Sequence, residues 1–145
     1  MLISGSTVLL TGATGGLGQA IARALYARGA ELRLVGRRAD VLARLAAELD
    51  GAITSTADLS DPAAVASLLA EADGTDILVA NAGVPAAGRL ESFSSADVER
   101  TLRVNLQTPV TLAHGLLSGM LERRRGHLLF VSSISGKMTV PGSNP

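Results

Sequence analysis

A regular alternation of short apolar runs with segments of helical periodicity constrains the fold of this chain more than any other feature of its sequence. Five apolar runs bounded by turn residues are typical of buried strands, at residues 7–11, 31–36, 52–56, 76–80 and 127–132. Strands that alternate with helices are joined by right-handed crossovers into a parallel sheet with helices on both faces. We therefore predict that residues 1–145 form one α/β domain built on a doubly wound parallel sheet of about five strands.

Three of the helical segments between these strands are short and have recognisable ends. The first helix, which follows the first strand, is expected to stop at Gly29, and the second is expected to stop at Gly51. Glycine commonly ends helices because it adopts the left-handed conformation without strain. The third helix is expected to begin at Asp61-Pro62, where the carboxylate caps the first turn and the proline needs no N–H partner.

The fourth helical segment is predicted to be long, over about residues 95–124. Its apolar stripe consists of Val98, Leu102, Leu106, Val110, Ala113 and Leu117. Because Pro109 has no backbone N–H, the carbonyl of Asn105 lacks its usual helical partner. We therefore expect the helix to kink there, which would leave that carbonyl free to hold a water molecule. An ordinary polar residue in a helix that tolerates proline is the alternative.

Composition and charge exclude several classes of protein. Thirteen basic and thirteen acidic side chains cancel, and the only dense basic run, at residues 123–125, is short, so we predict no nucleic-acid partner. The chain has no cysteine, and His114 and His127 lack neighbours at ligand spacing, so we predict no metal site. No apolar run approaches membrane-spanning length and no basic leader is present. We therefore expect a cytoplasmic protein that does not enter a membrane.

A doubly wound sheet binds its ligand beyond the carboxyl ends of the strands, and the first strand is followed there by TGATGGLG, residues 11–18. Glycines let the backbone approach a pyrophosphate, whose charge then lies at the N-terminus of the next helix. We predict that this loop binds a dinucleotide through Gly12, Thr14, Gly15, Gly16, Leu17 and Gly18. The alternative is an ordinary glycine-rich turn from strand to helix.

The second strand ends in Gly36-Arg37-Arg38, with no acidic residue at the strand end. An NAD site places an acid here for the ribose hydroxyls, whereas arginine accommodates the 2′-phosphate of NADP. Two adjacent guanidinium groups suit phosphate recognition. Arg37 and Arg38 therefore favour NADP over NAD, although a solvated pair before a helix is the alternative.

The third and fourth strands are followed by residues suited to line the same site. Asp58 and Leu59 follow the third strand, where the aspartate could equally be an ordinary turn residue. Asn81, Ala82 and Gly83 follow the fourth strand. Small residues there let a cofactor lie against the backbone, and the asparagine amide can tie neighbouring strands together.

Together these motifs resemble those of the classical short-chain dehydrogenases/reductases, over the whole chain from Ser4 onward. The loop matches TGxxxGxG through Gly12, Gly16 and Gly18, and it also fits TGxxGxxG of the extended branch through Gly15; Asn-Ala-Gly at residues 81–83 separates the two. The resemblance implies a Rossmann-like sheet in the order 3-2-1-4-5. It also implies that Asp58 contacts the adenine amino group.

The resemblance further implies two catalytic residues. Asn105 would hold a water molecule of a proton relay through its backbone carbonyl. Ser133, followed by two residues and a glycine, would hydrogen-bond the substrate oxygen. The family's Tyr-x-x-x-Lys pair is absent, because Tyr26 is the sole tyrosine and Lys137 has none four residues before it. We therefore expect the natural protein to continue past Pro145 into the missing C-terminal part of the fold, and the 145 residues alone to be inactive.

The expected function is that of an NAD(P)-dependent oxidoreductase, with NADP preferred. It would transfer hydride between the cofactor and a small alcohol, ketone or aldehyde substrate. The full-length protein is expected to be a homo-oligomer, either a dimer or a tetramer. Two alternatives remain open: a nucleotide-binding module without catalysis, and an extended-type epimerase or dehydratase acting on sugar nucleotides.

Overall fold

The computed structural model describes residues 2–85 and 88–134, which contain a five-stranded parallel sheet in the order β3-β2-β1-β4-β5, as predicted. The strands are β1 (Thr7–Thr11), β2 (Glu31–Gly36), β3 (Ile53–Thr56), β4 (Ile77–Ala80) and β5 (His127–Phe130). β1 lies at the centre, where Val8 pairs with Leu32 of β2 and with Ile77 of β4. Strands β3 and β4 begin one residue later than predicted. β5 ends two residues earlier, although the N–H of Val131 still donates to the carbonyl of Ala80 at 2.9 Å.

Five α-helices connect these strands in the described part of the chain. They are α1 (Gly16–Tyr26), α2 (Ala39–Glu48), α3 (Pro62–Glu71), α4 (Ser95–Leu102) and α5 (Thr108–Glu122), with a short 3₁₀ turn at Leu90–Ser92. Asp61 caps α3 as predicted, since its carboxylate accepts from the N–H of Ala63 at 2.9 Å. None of the helices in residues 2–85 and 88–134 is long and apolar enough to cross a membrane.

Two apolar clusters pack on opposite faces of the sheet, because successive strand side chains alternate between the faces. One cluster joins the sheet to α1 and α2: Val8, Leu10, Leu32, Leu34, Ile77, Val79, Ala22, Leu42, Leu45 and Leu49. The other joins it to α3 and α5: Leu9, Val35, Leu78, Ala80, Val65, Leu68, Leu112, Leu116 and Met120. The prediction of helices on both faces is therefore confirmed, and the carboxyl ends of the strands meet along one edge.

The predicted long fourth helix is present as α4 and α5, joined by a π turn at Arg103–Gln107. In this turn the N–H of Thr108 donates to the carbonyl of Arg103, five residues back. The irregularity lies immediately before Pro109, where the missing N–H interrupts the regular pattern.

Most of the apolar stripe predicted for this helix does not face the core, although Ala113 packs against the cluster beneath α3 and α5. Leu102, Leu106 and Val110 are more than half exposed, and Val98 and Leu117 are also exposed. The buried side chains lie on a second stripe two residues out of phase: Val104, Thr108, Leu112, Leu116 and Met120. Because the helix has two apolar stripes, its own sequence does not decide which one packs on the sheet.

Candidate nucleotide-binding site

A cleft of about 640 Å³ opens beyond the carboxyl ends of the strands. All thirteen residues predicted to bind the cofactor line it: Gly12, Thr14, Gly15, Gly16, Leu17, Gly18, Arg37, Arg38, Asp58, Leu59, Asn81, Ala82 and Gly83. The two predicted catalytic residues, Asn105 and Ser133, are not among the residues that line it. The structure therefore brings the predicted residues that follow the first four strands together around one cleft at one edge of the sheet.

The glycine loop is shaped by close backbone packing at two positions. Gly12 has a φ of +69°, and a Cβ added to it would lie 2.8 Å from the Cα of Ala82. A Cβ added to Gly18 would lie only 2.1 Å from the carbonyl oxygen of Gly12. Side chains at either position would collide with backbone atoms, so glycine is required for α1 to begin this close to β1.

The start of α1 is open toward the cleft. A Cβ added to Gly16 would meet no atom within 4 Å. Gly15 precedes the helix without a side-chain cap, and the first turn has no acidic residue. The N-terminus of a helix carries unpaired N–H groups and a partial positive charge, so it favours an anion. This open, uncapped helix start fits the pyrophosphate group of a dinucleotide.

Thr11 and Asn81 tie the ends of β1 and β4 together beneath the loop. The Thr11 hydroxyl accepts from the backbone N–H groups of Asn81 at 3.1 Å and Ala82 at 3.0 Å. The Asn81 side-chain amide donates to the carbonyl oxygens of Thr11 at 3.1 Å and Gly12 at 3.3 Å. The expected role of Asn81 in joining neighbouring strands is confirmed. The contribution of the Thr11 hydroxyl was not anticipated from the sequence.

The two arginines after β2 differ in their surroundings. The guanidinium of Arg38 donates from Nη2 to the carbonyl of Thr14 in the glycine loop. Arg37 is exposed, and the described residues offer it no hydrogen bond or ion pair within 4.0 Å. Both side chains line the cleft. Arg38 therefore binds the loop itself, while the charge of Arg37 remains available to a ligand.

Asp58 is both a turn residue and part of the cleft wall. Its Oδ1 accepts from the N–H of Ser60 at 2.9 Å and from the Ser60 hydroxyl at 2.7 Å. These hydrogen bonds, and then the attraction of Arg100 and Arg37, hold the pKa of Asp58 below its ordinary value. The side chain is therefore an ionised hydrogen-bond acceptor at neutral pH, and it remains so into moderately acidic solution.

Leu59, the next residue, is held in place by a hydrogen bond from the first residue of α5. The buried hydroxyl of Thr108, at the start of α5, donates to the carbonyl of Leu59 at 2.7 Å. Leu59 is itself buried and packs in the cluster beneath α3 and α5. This bond connects the helical segment around the π turn to the loop that carries Asp58.

Asn105 lies in the π turn, and its side chain is engaged with the loop after β4. Its Oδ1 accepts from the N–H of Val84 at 2.9 Å, and its Nδ2 donates to the carbonyl of Val84 at 2.9 Å. Val84 lines the cleft directly after Gly83. The side chain of Asn105 thus positions the cleft wall, a role separate from the one proposed for its backbone carbonyl.

Ser133 is exposed and lies two residues beyond Val131, the cleft-lining residue nearest to it in sequence. The glycine of its predicted motif, Gly136, falls outside the described residues, as does Lys137. Within the described ranges, no three His, Asp or Glu side chains come together as a metal ion would require.

Six cleft-lining residues were not predicted: Gly36, Ala57, Val84, Arg100, Val104 and Val131. Three of them, Gly36, Ala57 and Val84, directly flank predicted site residues, so that extending each strand-end motif by one residue would have included them. Val131 follows β5. Arg100 lies on α4 and Val104 lies one turn further along, in the π turn, where no strand-end motif indicates them.

The cleft combines a glycine loop at an uncapped helix start with cations, an ionised aspartate and small residues at successive strand ends. Doubly wound sheets bind dinucleotides at strand ends of this kind. The family model described as short chain dehydrogenase matches residues 6–145. The chain belongs to this family of oxidoreductases, whose members use NAD or NADP.

Individual relatives agree with this assignment. Nodulation protein G of Rhizobium sp. (strain N33) is 42% identical over 97% of this chain and 59% of its own length. Dehydrogenase/reductase SDR family member 7B of Bos taurus is 37% identical over 96% of this chain and 47% of its own length. A metagenomic short-chain oxidoreductase, solved in complex with NADP, superposes with a TM-score of 0.89 at 32% identity, over 99% of this chain and 68% of its own. The chain spans about half the length of the curated relatives it matches.

Proposed function

We propose that the full-length protein is an NADP-dependent oxidoreductase that interconverts a small alcohol and the corresponding ketone or aldehyde. The observation that carries this proposal is the convergence of all thirteen predicted cofactor residues on one cleft, beside an uncapped helix start. The family match does not favour either alternative, a non-catalytic nucleotide-binding module or an epimerase or dehydratase of sugar nucleotides.

Different residues of the cleft bind different parts of the proposed cofactor. The loop from Gly12 to Gly18 binds the pyrophosphate at the start of α1. Asp58 accepts a hydrogen bond from the adenine amino group, and Leu59 and Val104 contact the base as apolar walls. Residues 81–83 form the floor along which the cofactor extends toward β5.

Arg37 supports the choice of NADP over NAD. Its guanidinium is exposed just after β2 and forms no ion pair within 4.0 Å with an acid in the described part of the chain. A phosphate on the 2′ position would receive a charge-assisted hydrogen bond there. The metagenomic relative, which was solved with NADP, agrees with this preference.

Two residues of this chain would contribute to the reaction. When bound, the cofactor supplies or accepts the hydride. Ser133 would donate its hydroxyl to the substrate oxygen. The backbone carbonyl of Asn105, which lacks an N–H partner at Pro109, would hold a water molecule that passes a proton.

The full-length protein is further proposed to be a homo-oligomer. The exposed apolar stripe that runs from α4 through the π turn into α5, with Leu102, Leu106 and Val110, supports this because such surfaces are commonly covered by another chain. Sedimentation of the full-length protein tests it. Substituting Leu106 with Glu should shift the mass toward the monomer if this stripe forms the interface.

The central experiment is a binding and activity assay on the full-length protein. We expect it to bind NADPH more tightly than NADH in a fluorescence titration, and to oxidise NADPH in the presence of members of a ketone and aldehyde panel. Equal affinity for the two cofactors, or tighter binding of NADH, would refute the cofactor assignment. Binding without turnover on any carbonyl or alcohol would favour the non-catalytic module.

A further inference from the structure

Arg100 is a positively charged residue that lines the cleft. It belongs to none of the strand-end motifs, and it is not among the residues proposed to bind phosphate. It lies on α4 and lines the cleft together with Val104, which is one turn further along the helical segment. The same helical segment contacts the loop after β3, because the Thr108 hydroxyl, one turn beyond Val104, donates to the carbonyl of Leu59 at 2.7 Å. Arg100 therefore lies on the segment that packs against the residues proposed to hold the base of the cofactor, and it lines the same cleft as Asp58 and Leu59.

The side chain of Arg100 is not committed to another partner. It is exposed, and it forms no ion pair within 4.0 Å with any described acidic residue, although it attracts both Asp58 and Asp97 at longer range. A planar guanidinium that is free to reorient can stack on the face of an aromatic ring, in addition to acting as a charge.

The walls around Arg100 suit a flat heteroaromatic ring better than a phosphate. Val104, one turn from Arg100, and Leu59, which lines a smaller pocket together with Val104, are buried apolar residues of the cleft. Asp58 is an ionised acceptor that would repel a phosphate group. Arg37, at the end of β2, is the cation placed for the phosphate. The two arginines therefore serve different parts of one ligand.

We infer that Arg100 binds the adenine base of the cofactor by stacking its guanidinium on the ring, and so strengthens binding whether or not a 2′-phosphate is present. This inference rests on the proposed function, because it assumes that the cleft holds an adenine dinucleotide. It adds a base-recognition residue to the cleft, on a helix and not at a strand end.

The test compares three ligands that share the adenine base and differ in the rest: 5′-AMP, NADH and NADPH. Dissociation constants are measured by titration on the full-length protein and on its Arg100→Ala, Arg100→Lys, Arg37→Ala and Arg103→Ala variants. Arg103 is the matched control, because it is a nearby arginine whose side chain does not line the cleft. Circular dichroism confirms that each variant is folded.

We expect Arg100→Ala to raise the dissociation constants of all three ligands by the same factor, roughly three- to tenfold for a lost cation–π contact. Arg100→Lys should raise them nearly as much, because lysine keeps the charge but not the plane. Arg37→Ala should weaken the binding of NADPH alone, and Arg103→Ala should leave all three dissociation constants unchanged.

Three results would overturn the inference. The first is that Arg100→Ala binds all three ligands as tightly as the unmodified protein. The second is that Arg100→Ala loses affinity for NADPH alone. The third is that Arg100→Lys binds with full affinity, which would show that Arg100 acts as a point charge and not as a stacking plane. If the unmodified protein bound none of the three ligands, the proposed function would fail first and the inference with it. These outcomes are therefore distinguishable.

Discussion

The side-chain amide of Asn105 pairs with the backbone of Val84 through two hydrogen bonds of 2.9 Å, one accepted from the N–H and one donated to the carbonyl. The loop after β4 is consequently held from two directions, since Asn81 is tied to Thr11 on the other side. Residues 81–84 form the floor of the cleft, so the helical segment at the π turn stabilises the surface on which the cofactor would lie.

Replacing Asn105 with alanine should loosen this floor. Water can replace the lost bonds because Val84 is only partly buried, so we expect the free energy of unfolding to fall by about 1 kcal/mol. Amide hydrogen exchange of residues 81–85 should accelerate relative to the rest of β4. Gln107→Ala is the control, since the Gln107 side chain makes no hydrogen bond in the described residues. Equal protection in both variants would show that Asn105 does not hold the loop.

The proposed relay role of the Asn105 carbonyl is separable from its side-chain role through Pro109. Pro109→Ala supplies an N–H that can bond the Asn105 carbonyl and withdraw it from water. We expect kcat of the full-length enzyme to fall severalfold, with little change in the dissociation constant for NADPH. A variant with a regular helix at this position and unchanged kcat would exclude the carbonyl from proton transfer.

Arg37 and Arg38 should contribute unequally to cofactor preference. Arg37→Ala should lower the affinity for NADPH roughly tenfold or more and leave the affinity for NADH unchanged, because it removes a charge-assisted contact with the 2′-phosphate. Arg38→Ala should lower the affinity for both cofactors to a similar, smaller extent, because the guanidinium of Arg38 donates a hydrogen bond to the carbonyl of Thr14 in the glycine loop. Titration of each single variant with both cofactors measures the difference. A selective loss of NADPH in Arg38→Ala alone would reverse the assignment.

Two glycines of the loop should respond differently to alanine. Gly18→Ala places a methyl group 2.1 Å from the backbone oxygen of Gly12, so we expect a loss of about 3 kcal/mol or more in stability. Gly16→Ala meets no protein atom within 4 Å and should leave the melting temperature nearly unchanged. It should nevertheless lower NADPH affinity at least tenfold, because the methyl group occupies the space beside the helix start. Calorimetry and titration of the pair distinguish the two effects, and normal affinity in Gly16→Ala would place the pyrophosphate elsewhere.

A polypeptide containing only residues 1–145 should bind nucleotide weakly and show no measurable turnover. Its sole tyrosine, Tyr26, ends α1 and does not line the cleft. Loss of a positioned general acid typically costs about 10²–10⁴ in rate. The polypeptide should also tend to self-associate, because the exposed Leu129 and Phe130 of β5 lie at a sheet edge. Robust NADPH oxidation by a monomer would mean that other residues perform the proton transfer.

Much of the fold and of the cleft could be predicted because both depend on features local in sequence. Strand-end residues such as Asn81 and Asp58 converge in any parallel sheet, so their positions follow from the strand assignments. Arg100 and Val104 were missed because they lie on a helix, and periodicity does not show which helical face meets a cleft. For the same reason, the sequence identified the apolar stripe containing Leu106 but did not show that it is exposed, since only packing against the sheet selects Leu112 and Leu116.

The π turn at Arg103–Gln107 holds one residue more than a regular helical turn, and this sets how the segment responds to a change in length. A regular α-helix rotates by about 100° per residue, whereas a π turn accommodates an additional residue within one turn. A single-residue deletion here should therefore be absorbed, because the π turn becomes an ordinary helical turn and Leu112, Leu116 and Met120 still face the sheet. An insertion of one residue has no such outlet. It would rotate everything after it by about 100° around the helix axis, so that these side chains leave the sheet and the Thr108 hydroxyl no longer reaches Leu59.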